Sequence, residues 1–332
     1  MPHTIRFSLL AALCLAPATQ THAQGVNLRD YTTFFAECPS EECGKRLMVL
    51  RSFRQGREKR VLTVDPETLA TDVRPEKGLH LRQLTWPELR DATASQPYGR
   101  ALADSETSGA TPQDAGIVHA LPAENGVVLT VDLCPSPRPL DRRLFQAVID
   151  TFLPEERPVP LGIAVTGKWM QNHPAELAWL SKLEADGEIA VTWIDHTFNH
   201  RYTRGVPLSR NFLLQPGTDL RKEILATEAL MLKNGLRPSV FFRFPGLVSD
   251  RALVSRVASF GLVAVGSDAW LAKNQTPSPG SIVLVHGNGN EPLGITRFLE
   301  LVRKEKAAIR LRNWLLFDLR ESVRLEEQIP RR

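Results

Sequence analysis

Between residues 126 and 306 short apolar runs alternate with helical patterns, and this rhythm constrains the fold more than any other feature of the chain. Apolar runs fall at 126–132, 161–166, 188–195, 239–244, 262–266 and 281–285, each of strand length. Between or after them, 140–152, 174–185, 220–233, 251–260 and 295–306 carry apolar residues at helical spacing. Gly187, Gly235 and Gly261 follow three of these helical stretches, where a left-handed residue closes the last turn. Strands that alternate with helices run parallel, because a parallel neighbour is reached only through a long crossover. The pattern predicts an α/β fold, a barrel of seven or eight strands with its chemistry at the C-terminal strand ends.

The residues closing those runs are Asp132, the His196/His200 pair, Arg243, Asp268 and His286. Any one of them alone has an ordinary structural reading. Several independent strands each ending in a titratable or cationic group point to a converged site. A carboxylate and two histidines at strand ends suit general-base chemistry beside a metal. Leu133, however, stands where a metal site wants an oxygen.

The chain opens with His3 and Arg6, an apolar core too short to span a bilayer, and Thr21-His22-Ala23. That is the pattern of a secretory signal peptide over 1–23, and no later segment is apolar enough to cross a membrane. A periplasmic or secreted protein is expected. Export permits disulfides. Cys38 and Cys43 could close a small loop, no further metal ligands stand near them, and Cys134 is left unpaired. The formal net charge of +4 is modest and spread along the chain, so no nucleic-acid partner is indicated. Arg51, Arg54, Arg57, Lys59 and Arg60 read as a solvated basic face. Residues 24–116 form an N-terminal extension with a helix expected over 42–53, a strand over 60–64 and a linker over 101–116. The extension is too small and charged to bury much core alone, so it is expected to pack on the domain at 117–332.

Five motifs in order, across about 121–320, resemble the polysaccharide deacetylases of the NodB-homology type, carbohydrate esterase family 4. The family's T-F-D-D-G-P is matched by Thr130-Val131-Asp132-Leu133-Cys134-Pro135, and its H-[ST]-x-x-H by His196 to His200. Arg243-Phe244-Pro245, Asp268-Ala269-Trp270 and Leu284-Val285-His286 match the remaining three, and Gly246 stands where many members have Tyr. The resemblance implies a distorted (β/α) barrel that removes acetyl groups from an acetylated polysaccharide. It implies Asp132 as general base held ionised by Arg243, and His286 as general acid oriented by Asp268. Further implied are a backbone N–H near Gly246 at the oxyanion, and Trp270 with Leu284 as walls for the acetyl methyl.

The same resemblance implies a divalent metal such as zinc or cobalt on His196 and His200, with the second motif Asp as third ligand. Leu133 takes that place and cannot ligate, which weakens the site. Three outcomes stay open: Cys134 supplies a thiolate, Asp195 or Asp132 reaches the metal, or no metal binds. For Cys134 the favoured reading is a small buried residue in the family's glycine position. The leading function is a carbohydrate N- or O-deacetylase. The alternative is a weak or inactive deacetylase-fold protein that binds envelope carbohydrate, and a third is an amidase or esterase on another acyl substrate. His173 is expected to cap or pack at a helix start, Asp195 to accept structural hydrogen bonds, and Trp169, Trp179 and Trp193 to lie in the core. His80, His119 and Tyr202 are assigned surface or packing roles, and 287–290 a loop beside His286.

Overall fold

The computed structural model describes residues 27–107, 113–120, 122 and 124–324. The leader expected over 1–23 lies outside the described residues, and among them no helix is long and apolar enough to cross a membrane.

Residues 28–83 build an antiparallel sheet. Its strands are β1 (Leu28–Cys38), β2 (Leu47–Gln55), β3 (Glu58–Val64), β4 (Thr71–Pro75) and β5 (Arg82–Gln83), in the order β4-β3-β2-β1-β5. Cys38, the last residue of β1, and Cys43, the last of the one-turn helix α1 (Ser40–Cys43), are joined as a disulfide. β2 corrects the helix expected over 42–53. Every residue from 47 to 53 is buried, so this strand is covered on both faces and shows no alternation. Helix α2 (Trp86–Thr93) starts at Thr85, whose side chain and Glu88 cap each other reciprocally. Helix α3 (Pro97–Thr107) corrects the linker expected from 101, since Ala101, Leu102 and Ser105 are buried along one side of it.

The second sheet follows the predicted rhythm. Its elements are β6 (Gly126–Leu133), α4 (Arg142–Thr151), β7 (Val159–Val165), α5 (Gly167–Asn172), α6 (Pro174–Ala185), β8 (Ile189–Asp195) and α7 (Leu220–Lys233). They continue with β9 (Pro238–Phe242), α8 (Arg251–Ala258), β10 (Val263–Ala264), β11 (Ala269–Trp270), β12 (Ile282–His286), α9 (Pro292–Arg310), β13 (Leu315–Leu316) and α10 (Leu319–Arg324). The parallel order β10-β9-β8-β7-β6-β12-β11, with β13 beside the start of β6, makes a curled, incompletely closed (β/α) barrel. In this register His286 is level with Asp132, Leu133 with Val165, and Val165 with Asp195.

Strand alternation sorts the residues of β6. Val127, Leu129, Val131 and Leu133 face the helices and share a core with Leu144, Phe145 and Phe298. Val128 faces the other way and packs in a cluster with Phe35, Met48 and Leu50 of the first sheet and Leu102 of α3. The antiparallel sheet therefore lies against the inner side of the barrel, as expected for a unit too small to hold its own core. Each large aliphatic side chain buried there contributes about 1.5–3 kcal/mol.

A buried ion pair crosses the same contact. Arg51 donates from Nε to Glu228 Oε2 at 2.7 Å and from Nη2 to Oε1 at 2.8 Å, with both side chains essentially unexposed. Tyr31 donates to the same carboxylate at 2.9 Å. Arg51 is thus the buried member of the basic run, not part of a solvated face. Tyr98 adds a bond to the Gly261 carbonyl at 2.7 Å.

Candidate active site

Asp132 and Arg243 meet because β6 and β9 both end at the same rim of the barrel. Arg243 donates to Asp132 Oδ1 at 3.3 Å and to Thr130 Oγ1 at 3.0 Å, and neither side chain is more than a few percent exposed. Burial alone would raise the Asp132 pKa. The Arg243 guanidinium, followed by His196, His286 and His200, outweighs it and holds the carboxyl below its ordinary range.

The histidine pair sits on a turn that the fold has to hold open. Thr197 and His200 both have positive φ, 70° and 47°, a region unfavourable to side-chain-bearing residues. Side chains offset that cost. Asp195 accepts the Thr197 amide at 2.7 Å, the role expected of it, and Glu223 accepts the Phe198 and Asn199 amides at 2.9 and 2.7 Å. His196 Nδ1 donates to the Arg243 carbonyl at 2.8 Å, which leaves the Nε2 lone pair free. That nitrogen lies 3.7 Å from Asp132 Oδ2 and 3.5 Å from Cys134 Sγ. Burial lowers the His196 pKa and favours the neutral ring.

Cys134 continues the face of Asp132, whereas Leu133 turns into the core, where Gly287 leaves just enough room for it. The thiol is free and buried. Burial disfavours its thiolate, but interaction with His200 and His286 brings its pKa down to about 7. Asn288 steadies the same loop by donating to the Cys134 carbonyl at 2.6 Å.

His286 does not meet Asp268. Its Nδ1 lies 2.9 Å from Glu291 Oε2, at an angle off the ring N–H line, so charge rather than a directed bond carries the contact. Glu291 is fixed in turn by Trp270 Nε1 at 2.7 Å. Asp268 instead takes His119 Nδ1 at 2.5 Å, Ser281 Oγ at 3.2 Å and the Ile282 amide at 3.0 Å. The carboxylate beside His286 is therefore Glu291, while Asp268 ties β12 and His119 together. For His286, burial works against the charged ring, yet Cys134, Glu291 and Asp132 together raise its pKa well above the usual histidine value.

A cleft of about 680 Å³ opens above these groups, lined among others by Cys134, His200, Tyr202, Gly246, Trp270 and His286. Asp132 and Arg243 are buried and do not line it. Gly246 sits at φ 62° in the turn Pro245–Leu247, and a β-carbon there would come within 2.6 Å of the Phe212 ring. Leu284 lies behind Trp270 in a small cluster with Leu247 rather than on the cleft surface. Tyr202, 60 % exposed, tilts over Phe212 at 5.3 Å between ring centroids, a cleft residue without a motif to announce it. His173 packs as expected, stacking on Trp169 and reaching the Ser136 carbonyl at 2.7 Å, and Trp169 and Trp193 are core.

Cys134, His196 and His200 each offer one donor atom, all within 4.8 Å of one another. His200 Nε2 is buried with no hydrogen-bond partner. One thiol and two imidazoles, one with its lone pair freed and one unpartnered, fit a borderline divalent ion.

No protein-family profile matches the chain. Solved structures it resembles include a family 4 carbohydrate esterase from Bacillus anthracis, at 19% identity over 68% of this chain and 91% of that one, TM-score 0.44. The family 4 esterase PdaA of Bacillus subtilis aligns at 13% identity over 66% and 95%, TM-score 0.47. The family 4 pseudoenzyme BA3943 of Bacillus anthracis aligns at 15% identity over 64% and 69%, TM-score 0.42. At such identity and overlap the chemistry of the site rests on its own residues.

Proposed function

We propose that this protein is an exported carbohydrate deacetylase, a hydrolase that removes acetyl groups from an N- or O-acetylated polysaccharide. One observation carries the reading. Two titratable groups level with each other on adjacent strands, Asp132 and His286, are pushed in opposite directions, one toward the free carboxylate and the other toward the protonated ring. That is the division of labour between a general base and a general acid.

In this scheme Asp132 takes the proton of the attacking water. His286 gives its proton to the departing amine nitrogen, or to the alcohol oxygen of an ester, as the C–N or C–O bond breaks. Arg243 keeps Asp132 ionised, and Glu291 keeps His286 charged. The Gly246 amide, on its tight turn, is the donor for the developing oxyanion. Trp270, backed by Leu284, walls the acetyl methyl, and exposed Tyr202 offers a ring face to the sugar. His196 and His200 would hold a divalent ion, zinc or cobalt, which when bound supplies Lewis acidity toward an acyl oxygen and water. The expected leader would bring the protein to envelope glycans, its proposed substrates.

The test is acetate release from a panel of N-acetylated and O-acetylated glycans, with Asp132→Asn alongside. Release by wild type and its loss in the variant support the reading, and no release from any acetylated polymer by metal-loaded protein defeats it. The burial of Asp132 and the loss of a carboxylate at 133 favour a second reading, carbohydrate binding without turnover. Glycan binding without acetate release would decide for that one.

A further inference from the structure

We propose that Cys134 is the third protein ligand of the metal site, making it a centre of one thiolate and two imidazoles built for a zinc-class ion. The use of the metal rests on the deacetylase reading; its binding does not.

One pair of donors already has the spacing of a formed site, and the third lies within 4.8 Å of both. A tetrahedral ion with bonds of about 2.3 Å to sulfur and about 2.0 Å to nitrogen holds the two donors about 3.5 Å apart. Cys134 Sγ and His196 Nε2 are 3.5 Å apart. His196 shows the support typical of a ligating histidine, its far nitrogen bonded to a backbone carbonyl so that Nε2 is presented without a proton. His200 supplies a second nitrogen, buried and with no partner to explain its position. The sulfur is held on the correct face of β6 by strand alternation and by the Asn288 bond to its own carbonyl. Leu133 cannot take the place, being packed into the core on the opposite face. Cys134 and His200 also line the cleft, so a fourth coordination position faces the side from which substrate would come. Three protein ligands and one open position is the catalytic rather than the structural arrangement.

A thiolate ligand sets the class of ion. Soft sulfur favours zinc and cobalt(II) over magnesium, calcium and manganese, which prefer carboxylate and water oxygens. Binding displaces the thiol proton to solvent and leaves the sulfur shielded from electrophiles.

The experiment uses the full chain stripped with a chelator and titrated with cobalt(II) alone. One ion per chain is expected, with a sulfur-to-cobalt charge-transfer absorption in the near ultraviolet. Zinc should slow alkylation of Cys134 at least ~10-fold, since its population as free thiol falls with occupancy, and magnesium or manganese should not. Cys134→Ser should lose the absorption and weaken zinc binding by roughly 100-fold or more, because loss of even an outer partner of a ligand costs up to that much. Cys134→Asp should keep an ion without the absorption. Cobalt bound to wild type without the sulfur band overturns the inference, as does alkylation indifferent to zinc or unchanged affinity in Cys134→Ser. None of these readouts uses acetate. A cobalt–thiolate protein that deacetylates nothing refutes only the proposed function, and acetate release that survives Cys134→Ser with metal content intact refutes only this assignment.

Discussion

Glu291 Oε2 lies 2.9 Å from His286 Nδ1 and accepts the indole N–H of Trp270 on the same oxygen. The carboxylate that charges the proposed acid therefore also positions the aromatic wall of the cleft. Burial alone would raise the Glu291 pKa, but His286, then Trp270 and last Lys273, whose Nζ stands 3.5 Å over the Trp270 ring, together lower it.

Replacing Glu291 with Gln removes a negative charge that stabilises protonated His286. Its proton is then lost at lower pH, so the descending limb of the pH–rate profile should move to lower pH. Asp268→Asn, whose carboxylate serves His119 and the Ile282 amide, should leave that limb in place. A limb that follows Asp268 instead of Glu291 would return the orienting role to Asp268.

Asp132→Asn should lower turnover by ~10²–10⁴ while the protein stays folded, because the amide still accepts from Arg243. Arg243→Met acts on the other member. With the guanidinium gone the Asp132 carboxyl is no longer held low, so the ascending limb should move to higher pH. The same variant strands a buried carboxylate and should cost about 3–5 kcal/mol in urea unfolding.

Leu133→Asp should not create a metal ligand. It places a carboxylate among Val131, Leu140 and Leu144, facing away from His196, and should destabilise by more than about 4 kcal/mol with no gain in zinc affinity. Leu133→Met, similar in volume, should cost less than about 1.5 kcal/mol. Denaturant titration and metal analysis of both variants check this.

Gly246→Ala meets two obstacles, a left-handed backbone costing about 1–2 kcal/mol and the Phe212 ring in the way of the new β-carbon. The turn should shift and carry its amide away from the oxyanion position, lowering turnover by up to ~10². Metal content should be unchanged. A variant as active as wild type would remove this amide from the scheme.

The barrel was readable because strands covered on both faces and amphipathic helices alternate at regular intervals, with glycine after several helices. The same rule misled at β2, whose unbroken burial gives an apolar run without period two, so that a helix fits the letters equally well. The strand-end residues Asp132, Arg243, His196, His200 and His286 were legible as a set, since the register brings each to one rim. Glu291 was not, because it lies on the loop beyond β12 and no periodicity marks a loop carboxylate that folds back on its own strand. Asp268, by contrast, carries a motif, yet its hydrogen bonds run to His119, Ser281 and Ile282 rather than to His286. For Cys134 both a filler and a thiolate ligand stay open from sequence, because sequence gives the face of a strand but not what stands opposite it. Tyr202 escaped for the reason that exposed residues carry no packing signal.

The pairing of Arg51 with Glu228 bears on where the catalytic unit begins. Glu228 is also a neighbour of Asp195, whose carboxyl burial and that neighbour together push strongly toward the protonated state. Asp195 in turn holds the turn on which both histidines are mounted. A gene fragment that starts after α3 would encode every motif residue yet omit the counter-ion of a dry carboxylate two contacts from the histidines. In recombination or in chimera building, the antiparallel sheet and the barrel should consequently travel as one heritable piece, with the crossover point placed upstream of β1.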